Sequence, residues 1–86
     1  MALTPEHLSA ASELVGNAAS LREAAAQWRT RYPQIRTVLV DAMDMRDETP
    51  ALDLGARKVY LAATNGHCWN VTQDATEASA LILSQA

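Results

Sequence analysis

The densest run of potentially reactive side chains is Asn65-Gly66-His67-Cys68-Trp69-Asn70, which sets the only cysteine of the chain beside one of its two histidines. A histidine next to a thiol can lower the thiol's pKa and yield a nucleophilic thiolate, and both residues are zinc ligands. Asn-Gly, however, is the strongest short signal for a two-residue hairpin turn, because both residues accept the positive φ of type I′. Adjacent side chains on a strand point to opposite faces, so His67 and Cys68 would diverge. The other histidine, His7, lies near the N-terminus, and there is no second cysteine to complete a metal set. The sequence therefore predicts no catalytic, cofactor-binding or metal-ligating residue. A ligand- or metal-responsive site using His67, Cys68 or the acidic loop is the alternative.

That loop carries Asp41, Asp44, Asp47 and Glu48, whose oxygens suit Ca²⁺ or Mg²⁺. An EF-hand needs acidic or amide residues at alternate positions around a central glycine, and DAMDMRDETPAL lacks both. No element fixes these carboxylates into a hydrolytic pair either. Arg22, Arg29, Arg31 and Arg36 raise nucleic-acid binding through a helical pair, as a further alternative. Glu23 and Gln27 interrupt that basic face, the net charge is −3, and GNAAS is looser than a typical helix-turn-helix connection. Tyr60 and Trp69 could stack RNA bases, but only Arg57 and Lys58 surround them with positive charge. The three glycines are isolated, so there is no phosphate-binding loop.

A two-residue turn at Asn65-Gly66 would place Thr64 opposite His67, Ala63 opposite Cys68, Ala62 opposite Trp69 and Tyr60 opposite Val71. Tyr60, Ala62, His67, Trp69 and Val71 would then share one face of the hairpin. Val59, Leu61, Ala63, Cys68, Asn70 and Thr72 would share the other. If helices cover the Val59 face, Tyr60, His67, Trp69 and Val71 form a candidate interaction surface. If they cover the tryptophan face, Trp69 belongs to the core.

The elements that would position these residues follow from local signals. Thr4-Pro5 is a helix start with a capping hydroxyl and proline at the first helical position. Leu8, Ala11, Leu14, Val15 and Ala18 then recur at helical spacing as far as Gly16-Asn17. In SLRE, Ser20 caps a second helix and Glu23 can return the bond as a capping box. Its stripe of Leu21, Ala24, Ala25 and Trp28 stops at Tyr32-Pro33. IRTVLVDAM reads as a strand from Ile35 to Asp41, DMRDETPALDLG as a loop, and RKVYLAAT as a strand. The tail DATEASALILSQA fits a helical turn begun at Asp74 and a closing strand through Leu81 to Leu83. The expected fold is α+β, with an N-terminal helical pair packed on one face of a small, mostly antiparallel sheet of three or four strands. Residues 1–86 form one domain, with a helical part at 1–33 and a sheet part at 34–86.

Composition bounds the rest. Eighty-six residues bury a small core, and 17 of them are alanine while none is phenylalanine. Self-association could supply the missing buried area. One cysteine cannot form an internal disulfide. The N-terminus has no basic region followed by an apolar export core, and VLV and ALIL are too short to span a bilayer. A bacterial, cytoplasmic protein is expected, with Asn70-Val71-Thr72 a strand segment rather than a glycosylation acceptor.

From Tyr32-Pro33 onward the chain resembles a family of short uncharacterised proteobacterial proteins, some encoded among nitrogen-fixation genes. RYPQI, YLAATNGHCWNVTQD and the ending EASALIL carry the resemblance. The chain departs from that family in having Asn65-Gly66 at the hairpin and no cysteine in its first strand, which puts any paired-cysteine role in doubt. The resemblance implies no activity. The residues themselves point to a non-enzymatic accessory or protein-interaction domain without a cofactor. Its expected partner is a protein or a second copy of itself, in neither case a membrane, with nucleic acid disfavoured.

Overall fold

The structure is a computed structural model that describes residues 3–64 and 69–85. Helix α1 (Pro5–Asn17) starts where the Thr4 hydroxyl accepts the His7 N–H, and His7 Nδ1 accepts the Thr4 N–H at 3.0 Å. Helix α2 (Leu21–Arg31) is capped by Ser20 Oγ, which accepts the Glu23 N–H at 3.1 Å. The reciprocal capping box therefore forms at Thr4 with His7, where the sequence placed it at Ser20 with Glu23. Imidazole nitrogen does the work expected of a carboxylate. The apolar stripes bury Ala10, Ala11 and Val15 on α1 and Ala24, Ala25 and Trp28 on α2. Trp28 Nε1 donates to the Ile35 carbonyl at 3.2 Å, which ties the end of α2 to the start of the sheet.

The sheet contains β1 (Arg36–Leu39), β2 (Leu52–Leu54), β3 (Arg57–Thr64), β4 (Trp69–Thr72) and β5 (Ala80–Gln85). Strand β3 is central. It runs antiparallel to β5 along one side, while β2 and β4 share its other side, pairing with its first and second halves. Gln73 Nε2 donates to Thr49 O at 2.9 Å between those two half-strands. Strand β1 closes the far edge, parallel to β5. The sheet is mostly antiparallel, as expected, but has five strands rather than three or four. The extra one is β2, which lies in the stretch expected to be loop. It turns into β3 at Gly55-Ala56, with Leu54 paired to Arg57. Gly55 has φ +83°, and its N–H donates to Asp53 Oδ1 at 3.1 Å. Glycine at the first position of a two-residue turn is the II′ hairpin pattern.

The β3–β4 register also differs from expectation. Thr64 pairs with Trp69, Ala63 with Asn70 and Ala62 with Val71. Four residues, rather than two, separate the last paired positions, and the Asn65-Gly66 turn lies outside the described residues. Because the displacement equals the two-residue period of a strand, the division of described residues between faces survives it.

The helices cover the Val59 and Leu61 face, with Leu81 and Leu83 beside them on β5 and Leu3, Ile35 and Ala78 completing that core. The opposite face gathers Tyr60, Ala62, Ala80 and Ile82 beneath Met45 of a short 3-10 helix (Ala42–Met45), with Val40 and Val71 at its margin. Two thin cores therefore share one sheet. Near the C-terminus, Asp74 Oδ1 accepts from the Thr76 N–H at 2.9 Å and from its hydroxyl at 2.6 Å. That bonding makes a turn rather than a helix. The closing strand β5 is longer at both ends than expected.

Candidate functional site

Of the four residues placed on a candidate interaction surface, Tyr60 does not belong to it. It is 3% exposed, and its hydroxyl donates to Met45 O at 3.3 Å. The 3-10 helix, invisible to periodicity, covers the ring. Val71 is half-buried at the rim of the same cluster. His67, Cys68 and the Trp69 side chain lie outside what the structure describes.

The acidic loop is solvated where it matters for metal binding. Asp44, Asp47 and Glu48 are exposed, and Arg46 Nε stands 3.9 Å from Asp47 with both side chains open to water, a pair that contributes little. Among the described residues no three histidine, cysteine, aspartate or glutamate side chains converge as a metal site. Arg57, considered as part of an RNA-binding surround, serves the fold instead. Its guanidinium donates to the carbonyls of Val15 at 2.8 Å, Ala18 at 2.6 Å and Ala19 at 3.1 Å. Cationic donors at a helix C-terminus satisfy the last carbonyls and oppose the dipole. Arg31 lies over the Tyr32 ring, 5.5 Å from its centroid.

Among the described residues, the exposed large apolar side chains sit at the β1 edge and on the 3-10 helix that follows it. Val38 is 37% exposed, Leu39 46% and Met43, on the 3-10 helix, 70%. The Val40 N–H donates to Leu83 O at 3.0 Å, so the even-numbered residues turn their backbone groups toward β5. By alternation, Thr37 and Leu39 turn theirs outward. Beside Leu39, toward α2, lies an open hollow of about 390 Å³ lined by Leu21, Leu39, Val40, Asp41 and Gln85. Sequence reading missed this surface because TVLV reads equally well as a central or an edge strand.

Two further concavities exist. An open groove of about 420 Å³ runs between Pro5, Glu6, Ser9 and Glu13 of α1 and the Arg31-Tyr32 end of α2. A more enclosed cavity of about 220 Å³ lies where the 3-10 helix crosses β3 and β5, with Arg46, Glu48, Lys58, Tyr60 and Ser84 among its walls.

Two helices on one face of a mixed sheet, with a short helical cover on the other, make this a small α+β domain. Within that class the chain belongs to DUF6129, a family of unknown function, whose model matches residues 10–86. No curated protein and no solved structure matches it. Among the described residues no helix is long and apolar enough to cross a membrane.

Proposed function

We propose that this chain is a non-enzymatic interaction domain of the cytoplasm that acts as a homodimer, joined by antiparallel pairing of β1 with β1 of a second copy. The carrying observation is the outer strand, whose Val38 and Leu39 are 37% and 46% exposed and whose Thr37 and Leu39 backbone groups face away from β5. Natural edge strands are usually blunted by charge, proline or bulges, and RTVL has only Arg36 at its start. A two-fold axis normal to the sheet pairs Val38 with Val38 of the second copy and Thr37 with Leu39, so four backbone hydrogen bonds form. Both helical layers then lie on the same side of a continuous sheet.

The register is testable by cross-linking. Directly opposed residues of a non-hydrogen-bonded antiparallel pair stand about 4.5 Å apart at Cα, within disulfide range. In a Cys68→Ser background, Val38→Cys should oxidise quantitatively to a covalent dimer, while Arg36→Cys should not. A strict monomer by sedimentation at millimolar concentration, with no cross-linking of Val38→Cys, would sink the reading.

A further inference from the structure

The cavity beneath the 3-10 helix lies apart from the β1 edge and has a chemistry of its own. Its walls bring together Arg46 and Lys58, two of the seven basic residues of a chain whose net charge is −3. Lys58 is half-buried on β3, in register between Ser84 of β5 and Asp53 of β2. Asp53 turns one carboxylate oxygen to the Gly55 N–H at 3.1 Å. Lys58 makes no ion pair within 4.0 Å among the described residues. Arg46 has only weak partners, Met43 Sδ at 3.8 Å and Asp47 at 3.9 Å. Ser84, 1% exposed, is the one buried polar residue of the described chain, and it lines this cavity.

The opposing groups define the ligand further. Glu48 is the one acid in the cavity wall, and Asp47 and Asp53 stand beside Arg46 and Lys58 outside it, so the site offers two cationic donors without a large positive surplus. That balance suits a monoanion better than a phosphate dianion. Ala42, Met45 and Ala56 supply apolar wall, and the Tyr60 hydroxyl is committed to Met45 O. The volume of about 220 Å³ lies below that of pockets for drug-sized ligands, so the ligand is a small one. We propose that this cavity binds a short-chain monocarboxylate, its head on Lys58, Arg46 and the Ser84 hydroxyl and its alkyl tail against Met45, Ala42 and Ala56.

The experiment is a ¹H–¹⁵N NMR titration of the full chain with sodium butyrate at constant ionic strength, with butyramide and inorganic phosphate as comparators. Butyrate should give saturable shifts at Ala42, Met45, Ala56, Lys58 and Ser84, butyramide none, and phosphate a weaker response. Arg46→Gln alters an exposed side chain and should leave the fold intact. It should weaken butyrate about tenfold, and Lys58→Met at least as much, as expected for loss of a charge-assisted hydrogen bond. No saturable response to butyrate overturns the proposal, as does an equal response to butyramide, tighter binding of phosphate, or wild-type affinity in Arg46→Gln. The shifts should persist in Val38→Lys, which separates this site from the dimer edge.

Discussion

At the scale of single residues, Arg57 links the helical layer directly to the sheet. Its guanidinium serves three carbonyls at the end of α1, and no basic residue occupies that helix's own last turn. Arg57→Met keeps the aliphatic stem but strands those carbonyls, so it should cost about 2 to 3 kcal/mol, read as a fall in the urea midpoint at unchanged m-value. Arg57→Lys, which keeps charge but loses the planar fork, should fall between. Asp74 offers a second residue-scale test. The Thr76 hydroxyl and then the Thr76 N–H hold its carboxyl below the ordinary carboxylate range. A depressed folded pKa means that the contribution is complete above the unfolded value and is lost as pH falls through the folded one, below about pH 4. The Asp74 titration followed by NMR should therefore have a midpoint below that of a model peptide. Thr76→Val, which removes the hydroxyl but keeps the N–H, should raise it toward that of the model peptide.

At the scale of elements, legibility followed locality. Both helices could be read because their signals lie within a few residues of one another: hydroxyl caps at Thr4 and Ser20, a 3.6-residue apolar stripe, and Tyr32-Pro33 as a stop. Strand β2 could not, since LDL is too short to show alternation and becomes a strand only by pairing with Val59 and Arg57. Its marker was Gly55, which reads in isolation as loop punctuation. The β3–β4 register failed for a related reason. An Asn-Gly pair marks where a chain reverses, while cross-strand packing decides how many residues the reversal uses. Tyr60 was wrongly assigned to the interaction surface because only tertiary packing puts Met45 over its ring. Two glycines separate these influences experimentally. Gly55→Ala meets no neighbour within 4 Å, but φ +83° is strained for a side-chain-bearing residue, so it should destabilise by about 1 to 2 kcal/mol. Gly16 lies near the end of α1, also in open space and without positive φ. Gly16→Ala should stabilise by about 0.5 to 1 kcal/mol through helix propensity. Opposite signs in thermal melts of the two variants would attribute the difference to backbone conformation alone.

At the scale of the whole molecule, the open question is whether the proposed dimer is needed for folding or only joins folded chains. The radius of gyration over Cα atoms is 11.6 Å, close to the roughly 12 Å of an ordinary compact domain of this length. The main core is also complete within one chain, since Val59, Leu61, Leu81, Leu83 and Ala11 are each at most 2% exposed. Dimerisation through β1 would add the burial of Val38, Leu39 and a short backbone ladder to a domain that already has a closed centre. The wild-type melting temperature should therefore rise with protein concentration, by mass action on the folded dimer. Val38→Lys places a charge where the two-fold axis brings Val38 against its own copy, and it leaves the face under the helices untouched. It should give a monomer whose circular dichroism matches the wild type and whose melting temperature no longer depends on concentration. An unfolded Val38→Lys chain would mean that the small core cannot hold without its second copy. A Val38→Lys dimer of wild-type affinity would mean that the two copies meet somewhere other than β1.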